Sequence, residues 1–218
     1  MKKLIFSLAA LSLSASAQLV INELLYDPSP GNDVNQDGEA NTSQDEFVEI
    51  VNTGNVTVNI GGYQITDLSG NFFEFLPGTM IGANEAIVVF GGGNPAATLN
   101  GVSVFVGAPS LNNSGDTITL QDNSFTLVDQ VRYEDNSSDD ESLNRSPELV
   151  GGFQPHTTIA GSVGSESPGT DVTGASFGDP LPSIMLSPAT SSISESGVGS
   201  TTTLTVNLPE VPANYPLI

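Results

Sequence analysis

The chain has 218 residues and carries 25 acidic side chains against four Lys and Arg and one His, a formal net charge of −21. Phosphate binding needs clustered Lys and Arg, so this balance excludes nucleic acid as a partner of the segment. There is no Cys, which excludes disulfides and a lipid-anchored cleavage site, so stability must come from burial and from metal.

Residues 1–17 read as a secretory signal. Lys2 and Lys3 lead, residues 4–13 form a short apolar core, and Ala15, Ser16 and Ala17 fit the small-residue cleavage rule, which places the cut after Ala17. The apolar run is too short to span a bilayer. The mature chain is therefore expected outside the cell, secreted or on the surface, without a transmembrane helix. Cleavage removes both lysines and leaves Arg132 and Arg145 as the only Lys or Arg.

The first expected strand covers residues 19–26 and is closed by Asp27-Pro28 and Pro30-Gly31. An acidic loop follows. It sets Asp33, Asn35 and Asp37 at alternate positions with Gly38 next, the opening of a calcium loop, in which oxygens at every second residue converge on a hard cation and the glycine permits a sharp turn. Glu39 would add its backbone carbonyl. The twelfth position, where a helix-flanked loop wants a bidentate carboxylate, is Gln44, so Asp45 is expected to close the site after a small backbone adjustment. The expected metal set is thus Asp33, Asn35, Asp37, Glu39 and Asp45, and the expected ion is Ca2+. The plainer reading is a solvated turn, since Asp, Asn and Gly are ordinary turn residues, with the acidity explained by a saline habitat.

Residues 46–51 form the next strand, apolar on both faces as a central sandwich strand should be. Alternating or apolar runs recur at 56–60, 63–67, 72–75, 85–90, 102–106, 116–120 and 126–133, separated by Gly, Pro, Asn and Asp. Eight or nine strands between residues 18 and 134 specify an antiparallel all-β core. Glu23 and Glu49 sit inside strands with apolar neighbours. A charge there is costly unless paired, and Arg132 or Arg145 is the expected partner for one of them, the alternative being that both face solvent.

Catalytic patterns are weak. His156, the only histidine, lies in an expected coil, and no Gly-x-Ser-x-Gly elbow occurs. Gly91, Gly92 and Gly93 lack the following Lys and helix of a phosphate loop and read as a turn.

Val20-Ile-Asn-Glu23, Asp45-Glu-Phe-Val-Glu-Ile-Val-Asn52, Gly61-Gly-Tyr-Gln-Ile-Thr-Asp67 and Asn113-Ser-Gly-Asp-Thr-Ile-Thr-Leu120 resemble the lamin tail domain family. The later pieces Val128-Asp-Gln-Val-Arg-Tyr133, Ser142-Leu-Asn-Arg145 and Ser167-Pro-Gly169 agree. The resemblance implies an immunoglobulin-like sandwich and a non-catalytic module, found in bacteria on secreted and surface proteins. Bacterial relatives carry an insertion like residues 33–45. Animal lamin tails lack it and have basic surfaces, so chromatin binding is not implied. Residues 183–212 are similar to the start of a Calx-beta domain, through Ser192-Ile-Ser-Glu-Ser-Gly197 and Thr203-Leu-Thr-Val-Asn-Leu208. Glu195 sits where that family places a calcium ligand, but the other ligands of such a site would lie past residue 218.

The expected organisation is a signal peptide (1–17), a lamin-tail-like sandwich (18–149), an irregular extension and linker (150–182) and an incomplete Calx-beta-like segment (183–218), the chain being read as the N-terminal part of a longer protein. The expected function is a calcium-stabilised structural, adhesive or interaction module, not an enzyme, whose partner is a protein or a surface glycan. The competing reading is an accessory targeting domain of an extracellular hydrolase or nuclease.

Overall fold

A computed structural model describes residues 19–134 and 140–177. The signal peptide and the Calx-beta-like segment lie outside the described residues. The described residues form thirteen strands and no α-helix: β1 (Leu19–Leu25), β2 (Phe47–Asn52), β3 (Val58–Asn59), β4 (Gln64–Thr66), β5 (Phe72–Glu74), β6 (Met80–Ile81), β7 (Ala86–Phe90), β8 (Thr98–Leu99), β9 (Val102–Val106), β10 (Gly115–Gln121), β11 (Leu127–Glu134), β12 (Leu143–Ser146) and β13 (Gly152–Pro155). A large seven-stranded sheet has the order β13-β12-β1-β2-β7-β9-β8, a small four-stranded sheet the order β11-β10-β4-β5, and β3 pairs with β6. This is the expected immunoglobulin-like all-β sandwich. Pairing is antiparallel except between β7 and β9, which run parallel. The chain can make that pair because residues 91–101 carry it back across before β9 begins, as a parallel partner requires.

Two apolar layers flank the large sheet. Register aligns Ile21, Ile50 and Ile87 across β1, β2 and β7, and these face Ile65, Ile118, Leu120 and Val131 of the small sheet in the main core. Tyr26 stacks on Tyr133 with ring centroids 4.4 Å apart, and Phe75 meets Phe73 and Phe105 edge-on. The opposite face of the same strands carries Val20, Leu25, Phe47, Val51, Val88 and Phe90 in a second core. That core is roofed by Val34 of the acidic loop, by Leu99 and Val102, and by Leu149 and Phe177 of the C-terminal segment. Every residue of β1, β2 and β7 is buried as a result, which is why their sequences are apolar at both parities.

The segment after residue 149 remains on the sandwich. β13 pairs with β12 from Leu143↔Pro155 to Ser146↔Gly152, and the chain then makes a 3-10 turn at His156–Thr158 and crosses the large sheet. The expected boundary near 149 therefore separates two paired strands.

Candidate functional site

The acidic loop is shaped by its own oxygens. Asp33 Oδ1 accepts the Asp37 N–H at 3.1 Å and Oδ2 the Gly38 N–H at 2.9 Å. Asn35 Oδ1 accepts the same Asp37 N–H at 3.0 Å, so the first two expected ligands meet over one amide. Asp37 accepts from Glu39 N at 2.9 Å and from Asn94 N at 2.7 Å. These N–H groups, Asn94 foremost, hold its carboxyl below the usual range. Gly38 takes φ +98°, the sharp turn for which its position demands glycine.

Asp45 lies behind the loop, fully buried. Its Oδ1 accepts the Asn35 N–H at 2.9 Å and its Oδ2 the Asn41 N–H at 2.7 Å, so it ties the two arms together from the inner side. Glu39 is exposed. The structure thus gathers Asp33, Asn35 and Asp37, with Asp45 beneath them. Among the described residues no group of three or more His, Asp or Glu stands ready to hold a metal by itself. The loop offers two carboxylates and an amide, hard oxygen donors of the kind calcium takes.

The glycine run at 91–93 has its explanation here. A Cβ on Gly93 would come within 2.3 Å of Asp37 Oδ2, and one on Gly91 within 2.2 Å of Ser43 O. The turn after β7 is glycine because the acidic loop rests directly on it, and Asn35 Nδ2 donates to Gly92 O at 3.2 Å.

The second polar cluster lies inside the sandwich. Glu23 and Glu49 are register partners on β1 and β2, and both are wholly buried. Neither arginine serves them. Arg145 donates to Ile21 O, Gly151 O and, at 2.8 Å, Asp129, and lies over the Phe153 ring. Arg132 pairs with Glu134 at the surface. Neutral donors hold the glutamates instead. Glu23 Oε1 accepts from Ser142 Oγ at 2.6 Å and Ser167 N at 2.8 Å, and Oε2 from Ser167 Oγ at 2.7 Å. Glu49 accepts from Asn22 Nδ2 at 3.0 Å and Gly169 N at 2.7 Å. Glu148 accepts from the same Asn22 amide at 2.6 Å.

Burial raises the Glu23 pKa. It raises that of Glu49 further, with the Glu23 charge adding to the effect, and takes that of Glu148 to about 7. Each shift runs toward the neutral acid, the direction that burial and neighbouring like charge impose. His156 is buried beside them and its pKa is lowered by burial. Its Nδ1 lies 2.7 Å from Asn144 Oδ1 and its Nε2 3.2 Å from Val163 O, two acceptors that compete for the single N–H of a neutral ring.

Ser142 Oγ lies 3.3 Å from His156 Nδ1, the spacing of a nucleophile and its base. Both residues are sealed from solvent, and the hydroxyl is engaged with Glu23. The cluster clamps the C-terminal segment onto the sheet. Sequence reasoning missed its donors, although Ser142-Leu-Asn-Arg145 and Ser167-Pro-Gly169 contain three of them: Ser142, Ser167 and Gly169.

The model of the lamin tail domain family matches residues 12–135, more than half of the chain. No curated protein matches it. The match ends just after β11, so β12, β13 and the clamped segment complete the sandwich beyond the matched range. On the strength of that match and of the immunoglobulin-like sandwich, this chain belongs to the lamin tail domain family.

Proposed function

We propose that this chain is a non-catalytic interaction module, structural or adhesive, exported by a bacterium and displayed outside the cell, with calcium rigidifying the loop layer over its large sheet. A non-enzymatic immunoglobulin-like family and a secretory-type N-terminus support the module and its export. The observation that carries the calcium reading is the internal bonding of the acidic loop. Asp33, Asn35 and Asp37 stand at positions one, three and five with a left-handed Gly38 at six, the ligand and glycine positions of a calcium loop, and their oxygens bond to amides of the loop and of Asn94. Glu39 contributes its carbonyl, and Asp45 closes the loop from the inner side. The Calx-beta-like segment would extend the protein as a further β module.

The test is a thermal melt of the full chain in excess EGTA, then in millimolar calcium, with magnesium at matched ionic strength as the control. Ligand a hundredfold above its dissociation constant stabilises by about 2.7 kcal/mol. A calcium-specific rise in Tm that disappears in Asp37→Ala is expected. Equal responses to the two cations would mean charge screening and end the calcium reading.

A further inference from the structure

Among the described residues the small sheet leaves its outer strand face open. The central strands β1, β2 and β7 of the large sheet are covered on both sides, whereas the small sheet buries only its inner face. Register fixes what the outer face shows. Phe72, Thr66, Thr119 and Gln130 form one row across β5, β4, β10 and β11. Glu74, Gln64, Gln121 and Leu127 form the next, and Thr117 opposite Arg132 extends the array. The intervening Ile65, Ile118, Leu120 and Val131 are buried, so these rows point outward.

The face consists of six Thr and Gln side chains, each able to donate and accept. They lie in a plane with strands about 4.8 Å apart and same-face neighbours about 6.8 Å apart along each strand. Cross-strand bonds tie two of the three amides to the face, Gln130 Nε2 to Thr119 Oγ1 at 2.9 Å and Gln64 Nε2 to Glu74 Oε2 at 2.8 Å. Both bonds use the amide nitrogen, and the carbonyl oxygen is the acceptor of each amide. Phe72, 59 % exposed, supplies an apolar ring at one end of a row, and Leu127, 58 % exposed, ends the other.

On a chain of net charge −21 this face is nearly neutral. Its acids are Glu74 and Glu134, and Arg132 pairs with the latter at 3.1 Å. We propose that the outer face of the small sheet binds an uncharged polysaccharide laid flat across β5, β4, β10 and β11. Hydroxyl groups that both donate and accept match the Thr and Gln rows, and the ring of Phe72 can pack on the C–H face of a sugar. A second copy of the chain fits poorly. Four short strands present roughly 300–400 Å², against about 800 Å² per partner in a standard interface, and two such acidic bodies repel. A charged polymer fits poorly too, because the exposed cation is already countered.

This inference rests on the interaction-module reading and specifies its surface, but it is independent of calcium. The test incubates the full chain with suspended cellulose and suspended chitin, both uncharged, and with cross-linked polygalacturonate as the charged control, and reads the fraction depleted from solution. Binding to at least one uncharged polymer, persisting at high salt, is expected. The triple variant Gln64→Ala, Thr119→Ala, Gln121→Ala should bind at least about tenfold more weakly with an unchanged Tm. A second measurement needs no variant: titrating a soluble cello- or chito-oligosaccharide should move the amide resonances of β4, β10 and β11 selectively. Absence of binding to both uncharged polymers would overturn the proposal. So would undiminished binding by the folded triple variant, which would place the contact elsewhere while leaving the module reading intact. A sedimenting dimer that the triple variant abolishes would give the face to self-association instead.

Discussion

The large and small sheets each bury one face against the other and differ in the fate of the second face. The large sheet covers its second face with loops, so β1, β2 and β7 are apolar on both sides and contain Glu23 and Glu49 as buried fasteners. The small sheet leaves its second face to solvent and alternates cleanly, as β10 shows in buried Asp116, Ile118 and Leu120 between half-exposed Thr117, Thr119 and Gln121. The same strand chemistry thus yields a structural face in one sheet and a presenting face in the other. Polar groups on the first are spent inside the molecule, and those on the second remain available outside it.

The largest expected effect comes from uncovering the first face. Phe47 is wholly buried under the loop layer against Phe90, ring centroids 5.7 Å apart. Phe47→Ala should cost about 3–5 kcal/mol, read by chemical denaturation.

Next is the clamp. Glu23→Ala strands the buried Ser167 N–H and hydroxyl, each worth about 1–3 kcal/mol, whereas Glu23→Gln keeps an acceptor of the same shape and should cost much less. Equal losses in the two variants would show that the carboxylate charge holds the segment.

Stability should also rise on acidification from neutral pH. Burial takes Glu46 to about 8 and Glu148 to about 7, both above the ordinary 4.5. The native state therefore binds more protons than the unfolded chain across that interval, and unfolding becomes harder as pH falls through it. His156, shifted below 6.5, opposes the gain once the unfolded histidine begins to protonate. The rise in Tm should accordingly be steepest between about pH 8 and 6.5.

Smallest is the open face. Thr119→Ala removes no buried contact and should change stability by less than about 0.5 kcal/mol, so a much larger loss would mean that the small sheet is covered after all.

Much of this division was legible in the sequence. Alternation located the strands of the small sheet, and the run at 46–51, apolar on both faces, marked a covered strand. What covers them was harder to read. Residues 150–177 carry little apolar period because they are held largely by hydrogen bonds, and the Ser167 N–H reaches Glu23 across 144 positions. The expectation that arginine would neutralise a buried glutamate followed from the cost of isolated charge. Burial instead pushes the pKa of both glutamates upward, and Ser, Asn and backbone donors hold their oxygens. The glycine run at 91–93 read correctly as a turn, but its reason, contact with the acidic loop, depends on tertiary proximity that no local pattern carries.

The most direct test of the covered-face account is amide hydrogen exchange of the full chain. If the C-terminal segment is part of the sandwich, the Ser167 and Gly169 amides, bonded to Glu23 and Glu49, should exchange as slowly as those of β1 and β2 and only through global unfolding. Exchange of these two amides at rates typical of open loops, with β1 and β2 still protected, would contradict it and return the domain boundary to residue 149.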